Sequence, residues 1–257
     1  MNVVILCGGL GTRLREETEF RPKPMVPIGG RPILWHIMKL YARHGHKHFI
    51  LCLGYKGEII KDYFLNYHRN TSDVTLKLGS QSQIVYHSQH DEEDWTVTLL
   101  DTGQETQTGG RLARALPHVQ EENFLFTYGD ALTDSDITAS IRFHQQYGCT
   151  ATVTAVNPPG RFGELSVDGQ TIVGFHEKPV SERAYISGGF FVLNKRIGAY
   201  LEGDACVLEG APMERLAQEG QLKAYCHSGF WQCMDTYREQ ELLNKLWSAG
   251  QAPWKTW

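Results

Sequence analysis

Gly8-Gly9-Leu10-Gly11-Thr12-Arg13 follows directly on the apolar run Val3 to Cys7. Glycines behind a strand let the backbone pass close to a ligand and turn N–H groups toward it, a geometry suited to phosphate. The run lacks the Gly-Lys-Ser/Thr of a Walker loop and the spacing of a dinucleotide-binding turn. Taken alone it is also compatible with a plain tight connection. Ten residues on, Arg21-Pro22-Lys23-Pro24 places Lys23 between two prolines, which predicts an extended, aimed lysine. Arg13 and Lys23 together are the cations a triphosphate and a transferring phosphoryl centre require. An oxidoreductase using the same glycines would need an acidic residue closing the next strand, and residues 28–34 supply none.

Two aspartates complete the set of reactive residues. Asp130, after Gly129, follows the apolar run Phe124 to Tyr128, at the edge where open α/β sheets bind ligands; by itself an aspartate after glycine is more often a turn residue. Asp235 stands just ahead of a helix expected near Tyr237, where it could serve as a cap.

The elements that must hold these residues alternate. Strands are predicted at 3–7, 49–53, 124–128, 151–156, 172–175 and 188–193, with helices at 33–42 and 58–67. Segment 71–100 breaks that rhythm with three short β pieces, 74–76, 84–86 and 96–99, read as an antiparallel excursion. The last fifty residues read as helical, clearest at 213–217 and 237–247. The fold class is therefore α/β, with a mainly parallel sheet flanked by helices. No repeat or linker divides the 257 residues, so one domain is expected over 1–257.

Twenty-five basic against 29 acidic residues give a net charge of −4, which argues against a nucleic-acid or membrane-surface partner. The opening residues resemble neither a signal peptide nor a spanning helix. Six cysteines without CxxC pairs suggest reduced thiols and a cytoplasmic chain.

The ordered run Gly8 to Leu14, Thr18, and Lys23-Pro24-Met25-Val26-Pro27-Ile28-Gly29-Gly30-Arg31-Pro32 resembles the amino-terminal signature of the sugar nucleotidyltransferases. Further motifs, among them Gly54-Tyr55-Lys56-Gly57, Thr108-Gly109-Gly110-Arg111-Leu112, Phe126-Thr127-Tyr128-Gly129-Asp130, Glu177-Lys178-Pro179, Gly188-Gly189-Phe190 and Ala252-Pro253-Trp254, are similar to the glucose-1-phosphate cytidylyltransferase branch and span essentially the whole chain. The resemblance implies a Rossmann-like fold, with CTP and glucose 1-phosphate as substrates and Mg²⁺ as cofactor. It implies catalytic roles for Arg13 and Lys23, and nucleotide contacts from residues 6–13 (Leu6, Cys7, Gly8, Gly9, Leu10, Gly11, Thr12, Arg13), Lys23, Thr106, Gly110, Arg111 and Gly129. Asp130 and Asp235 would hold the metal, and Glu177, Lys178, Gly188 and Gly189 the sugar phosphate. It further implies a β insertion at 66–100 for nucleotide and subunit contacts, a helical part at 205–257, and a homo-oligomer, with a hexamer as one form. Ser187 stands where that pattern has asparagine. Another nucleotide or sugar phosphate, or a catalytically silent nucleotide-sensing chain of the same fold, stays open from the residues alone.

Overall fold

The computed structural model describes residues 1–80, 82–87, 94–158, 164–168, 170–176 and 185–257. Seven strands form the central sheet: β1 (Asn2–Leu6), β2 (His48–Leu53), β3 (Thr96–Asp101), β4 (Asn123–Tyr128), β5 (Ala151–Val156), β6 (Ile186–Asn194) and β7 (Leu222–His227). Their spatial order is β7-β5-β6-β4-β1-β2-β3. β1 pairs in parallel with β2 and β4, β2 with β3, and β5 with β7, while β6 runs antiparallel between β4 and β5. The expected Rossmann-like, mainly parallel sheet is what forms.

β1 buries all five of its residues, as a strand covered on both faces must. Its alternate residues feed two cores. Val3 and Ile5 pack with α1 (Ile33–Arg43), with Ile137 of α4 (Ile137–Tyr147) and with Leu243 of α6 (Tyr237–Ser248). Val4 and Leu6 pack on the other face with Leu112 of α3 (Thr108–Ala115) and Leu216 of α5 (Ala211–Gln218). α2 (Gly57–Leu65) joins the first core through Ile60. Among the described residues no helix is long and apolar enough to cross a membrane.

Three expectations change. Thr96–Asp101 belongs to the main sheet, parallel to β2, because half-buried Val97 and Leu99 cover the first core; only Val74–Lys77 and Gln83–Tyr86 form the antiparallel excursion. The two carboxy-terminal helices are present, but β7 and a short strand, Trp231–Cys233, lie between them. Lys23 is not extended: Lys23–Met25 is a 3₁₀ turn, closed by the Met25 N–H donating to Pro22 O at 2.8 Å. Extended backbone falls on Pro22 instead.

The order of the strands fixes where a ligand can go. From β1 the chain proceeds to β2 and β3 on one side, and β4 lies on the other. The carboxyl ends of β1 and β4 therefore flank a switch point, the crevice that open α/β sheets use for binding.

Candidate active site

The glycine run leaves β1 at that switch point, and Gly129-Asp130 leaves β4 beside it. Gly129 is required there: its N–H donates to Leu6 O at 3.1 Å, and an added Cβ would stand 2.8 Å from Pro24 Cγ. Only a bare backbone lets the Lys23 turn lie against the end of β4. A two-stranded ribbon then brings the second aspartate in. Ala131–Thr133 pairs antiparallel with Trp231–Cys233, and Met234 N–H donates to Asp130 O at 2.8 Å, so Asp130 and Asp235 sit at the same end of one ladder.

Helix α6 holds Asp235 from the other side. Thr236 is its N-cap, with a reciprocal capping box to Glu239. The Glu239 carboxylate also accepts from the Asp235 N–H at 2.7 Å.

The four charged residues predicted from the sequence meet here. Lys23 Nζ donates to Asp130 Oδ2 at 2.7 Å and to Asp235 Oδ1 at 2.5 Å. Arg13 Nη1 donates to Asp235 Oδ2 at 2.7 Å. Burial opposes the charge on Lys23, but the Asp130 and Asp235 carboxylates outweigh it and raise the ammonium's pKa. Lys23 is nearly buried, whereas the Arg13 side chain is 73% exposed at the rim.

These residues line a cleft of about 500 Å³ together with residues 6–12, Thr106, Arg111 and Gly129. Cys7 is buried, and that burial, with Cys52 beside it, pushes its thiol pKa well up, away from the reactive thiolate. Gly110 does not line the cleft; a Cβ there would meet Asp204 Cα at 2.8 Å, so its bare backbone lets α3 lie against the turn at Asp204. Gly188 and Gly189 lie near the start of β6, beside the carboxyl end of β4, and do not line this cleft. Gly188 O accepts from Trp231 Nε1 at 2.7 Å, and Gly189, at φ 78°, packs on the Tyr128 ring. Ser187 Oγ accepts from the Gly189 N–H at 3.3 Å. Glu177 and Lys178 lie outside the described residues.

Arg111 lines the cleft and also braces it. It is only 5% exposed. Its Nη1 reaches Leu53 O, Thr102 Oγ1 and Gly103 O at 3.0, 2.8 and 2.7 Å, and its Nη2 reaches Gly8 O and Gln104 O at 3.2 and 3.0 Å. One guanidinium thus ties the glycine run to the ends of β2 and β3. A Cβ at Gly8 or Gly54 would collide with it.

The cleft also includes Pro24, Gln104, Glu105, Gln107, Thr108 and Tyr128, none of which was singled out as a ligand from the sequence. Tyr128 and Thr108 were visible only as members of motifs whose glycines, arginine and aspartate drew the attention. Chemically, the cleft offers glycine N–H groups, two cations and two convergent carboxylates, a set suited to a polyphosphate and a divalent metal.

Comparison with known proteins agrees. The nucleotidyl transferase family pattern matches residues 2–236. The chain is 53% identical to glucose-1-phosphate cytidylyltransferase of Salmonella typhi and 44% identical to a probable glucose-1-phosphate cytidylyltransferase of Bacillus subtilis, over the full length of both chains in each case. The crystal structure of HddC from Yersinia pseudotuberculosis superposes with a TM-score of 0.71 at 22% identity, covering 96% of this chain and 99% of that one, which bears on the fold alone.

Proposed function

This chain belongs to the nucleotidyl transferase family, and from that premise we propose that it moves the cytidylyl group of CTP onto α-D-glucose 1-phosphate, releasing pyrophosphate and leaving CDP-glucose. The observation that carries the reading is the placement of Lys23 between Asp130 and Asp235 beside the glycine run that ends β1. Its substrates are proposed by likeness to relatives that bear the name glucose-1-phosphate cytidylyltransferase.

The donor set fits Mg²⁺. Asp130 and Asp235 both direct an oxygen at one ammonium, so a cation already stands where their charges converge. Among the described residues no group of three or more histidine, cysteine or carboxylate ligands is assembled, and Mg²⁺ typically takes one or two carboxylates and fills its other positions with phosphate oxygens and water. When bound, the ion would neutralise phosphate charge and fix the reacting oxygens.

The chain's own groups do the rest. Backbone N–H groups of residues 8–13 receive the triphosphate. Lys23 and Arg13 place positive charge where the α-phosphoryl group changes partners. The phosphate oxygen of the sugar phosphate attacks the α-phosphorus, the bond to the β-phosphate oxygen breaks, and pyrophosphate departs with that electron pair. A phosphate monoester has its second ionisation near pH 6 (about 6), so the attacking oxygen is already anionic at neutral pH and no general base is needed. Lys178 and Glu177 are proposed to hold the sugar phosphate and the sugar hydroxyls.

Two further proposals attach to the whole protein. A homo-oligomer is supported by Leu76, Leu78 and Ile84, which stand exposed on and beside the hairpin Val74–Lys77/Gln83–Tyr86. A cytoplasmic setting is supported by six cysteines that are all free.

Pyrophosphate release over a grid of nucleoside triphosphates and sugar 1-phosphates, with and without EDTA, tests the reading. CTP with glucose 1-phosphate should give the highest kcat/KM, and only with metal. Preference for another pair would overturn the substrates, and absence of turnover across the grid would overturn the reaction.

A further inference from the structure

Tyr128 ends β4 one residue before Gly129-Asp130 and faces the cleft. Its ring is fixed by Phe126 and Phe191, at centroid distances of 5.5 and 6.4 Å. On another side, a Cβ at Gly189 would stand 2.9 Å from Tyr128 Cδ2. The phenol therefore has little freedom to swing.

Its hydroxyl donates to Glu209 Oε1. The other carboxylate oxygen accepts from Thr108 Oγ1 at 2.6 Å, and Thr108 Oγ1 in turn accepts from the Leu208 N–H at 2.9 Å. A phenol has one proton to give. The hydrogen bond commits that proton to Glu209. Toward the cleft, Oη can only accept.

An acceptor-only oxygen repels the phosphate oxygens of either substrate, which are acceptors too; sugar hydroxyls can donate, but Tyr128 shares its cleft with the glycine run, Thr106 and Arg111, the residues proposed for the nucleotide. It suits the part of the ligand that carries donors. On a cytidine nucleotide those are the ribose hydroxyls and the exocyclic amine of the base, whereas uracil turns an acceptor to the corresponding edge.

We infer that Tyr128 Oη accepts a hydrogen bond from a donor on the nucleoside of the bound triphosphate, and that Glu209 is the positioning residue that orients the phenol for this by taking its proton. The inference rests on the CTP reading above and adds a specificity contact to it. Neither residue was identified as a ligand from the sequence.

Calorimetric titration of the full chain with CTP, 2′-deoxy-CTP, 3′-deoxy-CTP and UTP, in the presence of Mg²⁺, tests it. Tyr128→Phe should weaken CTP binding roughly tenfold, the scale of one hydrogen bond. The analogue that lacks the donor should bind wild type and Tyr128→Phe with equal affinity: a deoxy nucleotide if the partner is a ribose hydroxyl, UTP if it is the amine. Glu209→Gln keeps the shape of the carboxylate but can present N–H groups to Oη, which frees the phenol proton, and it should shrink the same discrimination ratio. A purely structural role would lower the unfolding midpoint and leave that ratio untouched. Equal losses for all four nucleotides, or no loss for any, would overturn the inference, and an unchanged ratio in Glu209→Gln would do so even if Tyr128→Phe failed to fold. Failure of wild type to bind CTP at all would instead strike the CTP reading itself.

Discussion

Lys23 lies between two carboxylates that would otherwise repel each other, and with Arg13 it balances their charge. A cation held in this way needs no reorganisation when charge shifts on a bound phosphoryl group. Lys23→Ala should therefore lower kcat by about 10²- to 10³-fold while the KM for the sugar phosphate changes far less; equal damage to both would remove Lys23 from its assigned role. At this scale the sequence was informative about which charges gather near the glycine run and the prolines, although the backbone it suggested for Lys23 was extended and the residue opens a 3₁₀ turn. It was silent on Tyr128 and Glu209, whose pairing spans 81 residues and depends on the packing of α3 against the segment before α5. It was silent on the bracing by Arg111 for a related reason: most of its partners are main-chain carbonyls, which no residue type announces. Arg111→Lys keeps the charge but cannot reach that spread of acceptors, and it should raise the KM for CTP and lower the unfolding midpoint together.

Between residues and the whole molecule, the ribbon of Ala131–Thr133 with Trp231–Cys233 and the start of α6 set the distance between the two aspartates. Glu239→Ala removes the acceptor for the Asp235 and Thr236 N–H groups. The cost in unfolding free energy should be about 1 kcal/mol, typical of a lost helix cap, measured by urea denaturation. The loss in kcat should exceed what so small a destabilisation explains, because Asp235 is freed as well; unchanged kcat would show that the cap does not position Asp235. Gly129→Ala forces a methyl group against Pro24 and Leu6 O. An overpacking cost of roughly 1–3 kcal/mol should appear together with a drop in activity. The buried strands β1, β2 and β4 were legible as apolar runs closed by glycine or polar residues. β3 was read as a strand at 96–99 but placed in the excursion, and β7 was not read at all; each is a sheet edge and only partly buried, and an edge strand gives a weak pattern. The capping box Thr236 to Glu239 was present in the sequence, yet it gains its meaning from the ribbon that delivers Asp235 to it.

Across the whole molecule, one sheet carries a core on each face, and buried histidines make its stability depend on pH. His36 is fully buried; its Nε2 lies 2.8 Å from Ile28 O and its Nδ1 accepts from Trp254 Nε1 at 3.3 Å, an arrangement that requires the neutral ring. Burial pushes its pKa down to about 4, and burial does the same for His144. An unfolded histidine titrates near 6.5 (about 6.5), so the folded state binds fewer protons than the unfolded state between those values. The stabilisation from each ring is complete above the unfolded pKa and is lost as pH falls toward the folded one, at roughly 1 kcal/mol per pH unit for each ring inside the window. Urea midpoints taken from pH 7 down to pH 5 should decline accordingly, and a flat profile would contradict the burial argument. Leu78→Glu, on the exposed hairpin, should reduce the mass seen by light scattering without lowering the unfolding midpoint; an unchanged mass would remove the hairpin from the subunit contact. The proposed transfer depends most on Asp130, Asp235 and Lys23 acting together on a metal-bound triphosphate, and pyrophosphate release against Mg²⁺ concentration, in wild type and Asp235→Asn, tests that most directly. The expected result is no turnover in EDTA, recovery with Mg²⁺, and in the variant a fall of about 10²-fold or more in kcat with half-saturation moved to higher metal. Undiminished turnover in EDTA, or a variant with the metal dependence of wild type, would contradict it.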